Sequence, residues 1–150
     1  STLFPYTTLF RSRDDNNVSS LKMANPCAAK AIDVRGNSSL SSITNLTQCY
    51  NMISLAIMDD NFSSINLNNF PKLIAFKATG NPLTQVSIAN NKKLNNLQLE
   101  SNVIVKTGVT PTESSGNYVY DFSSFAFLER SEVSLASSSN YSLSGERNNC

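Results

Sequence analysis

The chain has 150 residues, the size of a single domain. Its 12 Lys and Arg residues nearly balance 11 Asp and Glu residues, which argues against a nucleic-acid partner or a polybasic membrane patch. Histidine is absent, which excludes Ser-His-Asp, Cys-His and zinc–water chemistry. No glycine-rich phosphate loop or CxxC pair occurs either, so we predict no catalytic residue, no cofactor and no metal site.

The chain opens with residues 2–12, TLFPYTTLFRS, which look like the in-frame translation of a short-read sequencing adapter. The first residue is Ser1 rather than a methionine. We therefore interpret residues 1–12 as an artefact, leave them out of the fold prediction and treat the chain as a fragment. Residues 13–28 are then an N-terminal flank or cap.

The middle of the chain repeats one apolar pattern at a step of 21 residues, and a repeat of this length indicates stacked structural units. The copies are MISLAIMDDNF (52–62), LIAFKATGNPL (73–83) and LNNLQLESNVI (94–104). In each copy, two apolar residues two positions apart precede a polar position. The equivalent residues are Leu55, Phe76 and Leu97, then Ile57, Ala78 and Leu99, then Asp60, Asn81 and Asn102.

This pattern, L-x-x-L-x-L-x-x-N-x-L, resembles the leucine-rich repeat, which residues 94–104 match fully and 73–83 nearly. Weaker copies include Ile32, Val34 and Asn37 upstream and Tyr118 and Tyr120 downstream, so the resemblance covers residues 29–125. It implies an α/β-type repeat solenoid, a β-rich piece of a horseshoe with short parallel strands on its concave side.

The spacing itself predicts where side chains point. Side chains two apart in a strand share a face, so we expect Leu97 and Leu99 in a core shared by stacked turns. An Asn amide can serve backbone groups that water cannot reach, so Asn81 and Asn102 are expected to cap successive turns. A 21-residue repeat has no room for a full convex helix, so the convex segments are expected to be extended or 3-10 in form.

The periodicity fades beyond Phe125. We expect Tyr118 and Tyr120 to lie in the buried register of a terminal turn, with their neighbour Val119 outward. A short helix could begin near Asp121. Residues 126–150 are rich in Ser and Asn and are predicted to form a C-terminal cap or a linker.

Cys27 and Cys49 are 22 residues apart, almost one repeat, which would place them on adjacent turns. Equivalent positions on adjacent turns lie about 5 Å apart, a distance that a disulfide can span. The pair also resembles the cysteine-bearing caps of extracellular leucine-rich repeat proteins. Two buried free thiols remain the alternative.

Glycosylation is the second feature that bears on location. N-x-Ser/Thr sequons begin at Asn17, Asn37, Asn45, Asn61 and Asn140. The high content of Asn, Ser and Thr predicts about this many by chance, so the sequons permit a secreted glycoprotein without demanding one. The glycosylation candidates are Asn37, Asn45, Asn61 and Asn140.

The residues between the inward leucines form the outward surface of the predicted strands. This surface is mixed in charge, which suits a protein or peptide partner bound by complementarity rather than a polyanion. The candidate ligand-contacting residues on the concave face are Asp33, Arg35, Met58, Lys77, Thr79, Asn96, Gln98 and Glu100.

The resemblance implies a non-catalytic module that binds a protein or peptide, or a glycan, outside the cell or at its surface. Two alternatives stay open on the sequence. One is a cytoplasmic repeat adaptor, and the other is the ectodomain of a receptor kinase whose catalytic domain lies outside this fragment. No run of apolar residues in the fragment is long enough to span a membrane.

Overall fold

A computed structural model of the chain describes residues 9–13, 18–125 and 141–144. Strands make up nearly all the regular secondary structure of these residues, and the one helical element among them is a 3-10 turn at Leu46–Gln48. The strands in chain order are β1 (Leu9–Arg13), β2 (Leu21–Lys22), β3 (Ala31–Arg35), β4 (Ile43–Thr44), β5 (Ser54–Met58), β6 (Ala75–Lys77), β7 (Gln85–Ser87), β8 (Asn96–Gln98), β9 (Ile104–Lys106), β10 (Thr112–Ser114), β11 (Asn117–Asp121) and β12 (Tyr141–Ser144).

Five strands form one parallel sheet, the main sheet, in the order β1-β3-β5-β6-β8. Its register pairs Leu55 with Phe76 and Phe76 with Leu97, so that residues 21 apart stand side by side as the repeat predicts. Ile32, on the preceding strand β3, pairs with Leu55. Ile32, Leu55 and Phe76 are buried, whereas Leu97 is only partly buried because it lies on the last strand of the sheet.

Two shorter parallel ladders form on the segments that return from the main sheet. Strand β2 pairs with β4, and β7 pairs with β9. Their buried side chains, such as Leu21 and Val86, join the same hydrophobic core as the main sheet. The described residues form a β-solenoid of about four turns with almost no helix, which confirms the predicted β-rich solenoid.

Successive tight turns connect each return segment to the next strand. The Cys49 N–H donates to the Leu46 carbonyl at 3.0 Å, and the Met52 N–H donates to the Cys49 carbonyl at 3.0 Å. The same pair of bonds recurs one and two repeats later, around Phe70 and Asn91. Hydrogen bonds between residues three apart are of the 3-10 type, so these corners match the predicted extended or 3-10 segments.

A polar ladder closes the strand ends at the equivalent positions Asn37, Asp60 and Asn81, which are all buried. Asp60 Oδ1 accepts the Asn37 N–H at 2.8 Å, and Asn81 Oδ1 accepts the Phe62 N–H at 2.9 Å. The Asn81 amide also donates to the Ile57 carbonyl of the preceding turn. The predicted cap at Asn81 is therefore confirmed.

The ladder stops before Asn102, whose side chain is exposed, so the cap predicted there is wrong. In the three capped turns, the residue before the polar position is left-handed: Gly36, Asp59 and Gly80 have φ values of 72°, 56° and 75°. Gly and Asp are among the residues that adopt this conformation at least cost. Ser101 is not left-handed, and the chain does not turn Asn102 inward.

The terminal turn also differs from the prediction. Strand β11 pairs with β10 and β12 in a separate sheet and not with β8. Tyr118 is 41% exposed, so its predicted burial is wrong, and Val119 and Tyr120 are both intermediate. Asp121 Oδ1 accepts the Ser123 N–H at 2.9 Å in a turn, where a helix was predicted to begin.

The two terminal segments each contribute one described strand. Strand β1 includes part of residues 1–12 and pairs in register with β3 at the edge of the main sheet. The origin of residues 1–12 as an adapter stays a prediction from their letters. Within residues 126–150, the structure describes β12, which pairs in parallel with β11.

Asp60 is the acidic member of the polar ladder. Its Oδ1 accepts a backbone hydrogen bond, but its Oδ2 is buried and has no hydrogen-bond partner among the described residues. Burial raises the pKa of the Asp60 carboxyl above its ordinary value, and the hydrogen bonds from Asn37 offset this only in part. A raised pKa in the folded state means that the charged carboxylate destabilises the fold.

We expect Asp60→Asn to raise the free energy of unfolding at pH 7 by about 1 kcal/mol, because it removes a buried charge and supplies a donor. Wild-type stability falls as pH rises from the ordinary aspartate pKa of 3.8 through the raised value, so the advantage should shrink on acidification. Urea unfolding of the wild type and of Asp60→Asn at pH 7 and pH 4 measures the gain in stability and its change with pH. The control is Glu113→Gln, at an exposed carboxylate on β10, which should change little. An advantage of Asp60→Asn that does not depend on pH would contradict the account.

Phe76→Ala should lower the free energy of unfolding by about 3–5 kcal/mol, since it empties a fully buried position at the centre of the main sheet. Leu97→Ala should cost less, because Leu97 is only partly buried. Lys77→Ala, on the outward face next to Phe76, should change stability by no more than about 0.5 kcal/mol. Urea unfolding compares the three variants, and equal losses for Phe76 and Lys77 would show that the two faces are assigned incorrectly.

Candidate binding face of the main sheet

The outward side chains of the main sheet form columns, because the register aligns every second residue of neighbouring strands. We call this surface the binding face. All eight residues proposed from the sequence lie on it or at its edge where the strands end. The central column is Arg11, Asp33, Ala56, Lys77 and Gln98, and one flank is Ala31, Ser54, Ala75 and Asn96. The other flank is Arg35 and Met58, and Thr79 and Glu100 follow two residues after the ends of β6 and β8.

Asp33 and Arg35 are bound to each other. The Arg35 Nε donates to Asp33 Oδ1 at 2.5 Å, and a second guanidinium nitrogen donates to Asp33 Oδ2 at 3.2 Å. Asp33 is only 9% exposed. A two-bond pair of this kind holds both side chains in one geometry, so these residues present a fixed and internally neutralised patch.

Thr79 and Glu100 both have bonds within the solenoid. Glu100 Oε1 accepts the Gly80 N–H at 2.8 Å, across from the preceding turn. The Thr79 carbonyl accepts the Asp59 N–H at 2.9 Å. Glu100 therefore helps to hold the strand ends together, even though its side chain is exposed.

The central part of the face is polar and more accessible. Gln98 is exposed, and Lys77, Met58 and Asn96 are half-buried. Together they offer one cation, two amides and one thioether, which can bind by hydrogen bonds and apolar contact.

Arg11 was missed by the sequence analysis, which had set residues 1–12 aside. It is exposed and stands next to Asp33 in the register of β1 and β3. The signal was a step of 22 residues from Arg11 to Asp33, close to the repeat length. Among the side chains that the structure describes, the binding face then carries three cations and two carboxylates, so its charge is mixed as predicted.

Cys27 and Cys49 lie at disulfide distance, as their spacing indicates. Their Sγ atoms are 2.03 Å apart and their Cα atoms 4.8 Å apart. Both cysteines are buried in the core. The bridge joins the return segments of two adjacent turns near the N-terminal end of the solenoid.

The structure separates the glycosylation candidates. Asn37 is fully buried; its Oδ1 accepts the Val18 N–H, and its Nδ2 donates to the Arg35 carbonyl. A glycan has no room there, so the prediction that Asn37 is glycosylated is wrong. Asn45 is half-buried and donates to the Met23 carbonyl at 3.1 Å. Asn61 is exposed, and Asn140 lies outside the described residues.

Among the described residues, no group of three or more His, Cys, Asp or Glu side chains could hold a metal ion. No helix in the same part of the chain has the length and apolar character needed to cross a bilayer.

No family model, curated protein or solved structure was found to match the chain.

Proposed function

We propose that this chain is a non-catalytic binding module of the leucine-rich repeat type, which recognises a protein or peptide through the binding face of its main sheet. The observation that carries the proposal is the stacking of outward residues into columns at the repeat spacing. A repeat surface of this kind offers many side chains along one continuous area, which is how solenoids bind extended partners.

The assignment to the leucine-rich repeat class is supported by the agreement between the sequence motif and the pairing of the strands. The residues that match the L-x-x-L-x-L part of the pattern, such as Leu55 and Phe76, are the ones that stand side by side and buried. The Asn position of the pattern is occupied by Asn81, which caps the turn. In this class the main sheet would line the concave side of a horseshoe.

The chemistry of the binding face favours a folded or extended polypeptide as partner. It carries the carboxylates of Asp33 and Glu100 as well as cations, so a polyanion would meet repulsion as well as attraction. The half-buried Met58 adds apolar contact beside Lys77. Mixed polar and apolar surfaces are typical of non-obligate protein interfaces.

We place the module outside the cell or on its surface. Support comes from the Cys27–Cys49 pair, because disulfides persist in oxidising compartments and are rare in the cytosol. The exposed sequon at Asn61 is compatible with the same location.

The proposal can be tested with a peptide selected from a random displayed library against the immobilised chain. We expect Lys77→Ala and Gln98→Ala each to weaken binding of that peptide by about 1–2 kcal/mol, measured by isothermal titration calorimetry, because both residues lie in the central column. The matched control is Lys93→Ala, an exposed lysine outside the sheet, which should leave the affinity unchanged. Equal losses for Lys77 and Lys93, or none at Lys77 and Gln98, would refute the proposed face.

A further inference from the structure

One corner of the solenoid carries charge of a single sign. It is formed by the segments that lead into the strands β3, β5, β6 and β8, which are residues 27–30, 50–53, 71–74 and 92–95. These segments contain four lysines and neither Asp nor Glu. One of the lysines, Lys92, has its ammonium 3.8 Å from the centroid of the Phe125 ring, and the other three are exposed. The balance of charge over the whole chain therefore does not extend to this corner.

Backbone hydrogen bonds fix which residues of the corner stand side by side. The Lys30 carbonyl accepts the Ile53 N–H at 2.7 Å, and the Ile53 carbonyl accepts the Ile74 N–H at 2.8 Å. These three residues therefore form a column, which Asn95 continues by donating its N–H to the Ile74 carbonyl. Ile53 and Ile74 are 37% and 39% exposed, so the middle of this column is a shallow apolar strip.

A second column runs beside the first, two residues earlier in the chain. It contains Asn51, Lys72 and Lys93, which are all exposed, whereas the residues between the two columns, such as Met52 and Leu73, are fully buried. The Lys72 ammonium donates to Asn51 Oδ1 at 2.7 Å, so these two side chains are in contact across neighbouring turns. Since neighbouring turns lie about 4.8 Å apart, Lys72 and Lys93 present two cations in close succession.

We propose that this surface, the lysine corner (Lys30, Ile53, Lys72, Ile74 and Lys93), binds an extended acidic segment of a partner protein in which acidic and apolar residues alternate. Alternate side chains of an extended peptide point to opposite sides. A peptide that lies along the two columns directs its carboxylates towards Lys72 and Lys93 and its apolar side chains towards the isoleucines. The four segments of the corner contain no carboxylate that would repel it.

The two isoleucines favour a polypeptide over the other anionic partners that lysines attract. A sulfated glycan or a nucleic acid would pair with the ammonium groups but would leave the apolar strip in water. An anionic membrane binds apolar side chains that reach about 5–10 Å into the boundary of the headgroups. Ile53 and Ile74 are each more than half buried in the solenoid, so they are too shallow for this. The aliphatic side chains of a peptide can cover them.

The lysine corner is separate from the proposed binding face. Lys77 and Gln98 lie in the central column of the main sheet, and the flank that contains Ser54 and Ala75 runs between them and the corner. Substitutions of Lys77 and Gln98 should therefore leave binding at the corner unchanged, and Lys93→Ala should leave binding at the face unchanged. The two proposals thus fail separately.

The test uses the full chain and an unlabelled, end-capped peptide of sequence Glu-Leu-Glu-Leu-Glu, with binding followed by NMR. We expect saturable binding with a dissociation constant on the order of 100 µM. The amide resonances of Ile53, Lys72 and Ile74 should shift. Binding should weaken severalfold between about 0.05 M and about 0.5 M salt, because salt screens exposed charges.

Substitutions in the two columns should each weaken binding of this peptide. Lys72→Ala and Lys93→Ala each remove one cation and should weaken it about threefold. Ile74→Thr keeps a β-branched side chain, removes apolar contact and should also weaken it about threefold. The matched controls are Lys106→Ala and Ile104→Thr, at exposed positions of β9 on the return side, which should leave the affinity unchanged.

Two altered peptides keep the test decisive if a variant does not fold. A peptide with Lys in place of Glu should not bind, and one with Ser in place of Leu should bind at least about threefold more weakly. Equal binding of either peptide, no binding of the original at millimolar concentration, or shifts confined to the binding face would overturn the proposal. Binding of a sulfated oligosaccharide instead of the peptide would overturn it in favour of a polyanion site. Sedimentation with phosphatidylserine vesicles without peptide binding would overturn it in favour of a membrane surface.

Discussion

Every turn of this solenoid depends on the backbone register that joins it to its neighbours. One turn has too little apolar surface to form a core, so Leu55 is buried only because Phe76 stands beside it on the next turn. The register is fixed where the strands begin: the Ile53 carbonyl accepts both the Ile74 and the Ala75 N–H, at 2.8 and 3.2 Å. A shift of one residue would turn the inward side chains outward and would dissolve the columns of the binding face as well.

The strand ends show what maintains this register and where it is lost. A left-handed residue followed by a buried Asn or Asp closes three turns, and each polar side chain bonds to the backbone of a neighbouring turn. At Ser101 and Asn102 neither feature is present, and the main sheet ends at β8, the strand just before them. Beyond that point β9 still pairs with β7, and the later strands β10, β11 and β12 form a separate small sheet. The end of the polar ladder and the end of the parallel sheet thus coincide.

The periodic part of the fold could be predicted because positions that face the core require apolar residues. Leu55, Phe76 and Leu97 keep that requirement at a constant step, and Cys27 and Cys49 are almost one step apart. The predictions were wrong where residues keep the repeat spacing but lie in different structural surroundings. Tyr118 has the right spacing and an apolar ring, yet β11 pairs with β10 and β12, and the ring is exposed. Asn37 fits a sequon equally well as a cap, and only its surroundings show that it is a cap.

The residues of the binding face differ in how well the sequence could predict them. The outward residues of the binding face follow from the same alternation as the core, so Lys77 and Gln98 could be named in advance. The bond between Asp33 and Arg35 could not, because it depends on side-chain conformation.

The central claim is that residues 21 apart are joined by backbone hydrogen bonds. Couplings measured by NMR across hydrogen bonds test it directly, because they identify the donor and the acceptor of each bond. The account predicts a coupling between the Ile74 N–H and the Ile53 carbonyl, and another between the Asn95 N–H and the Ile74 carbonyl. Couplings that join each N–H to a carbonyl at another spacing, or a complete lack of couplings between turns, would contradict it.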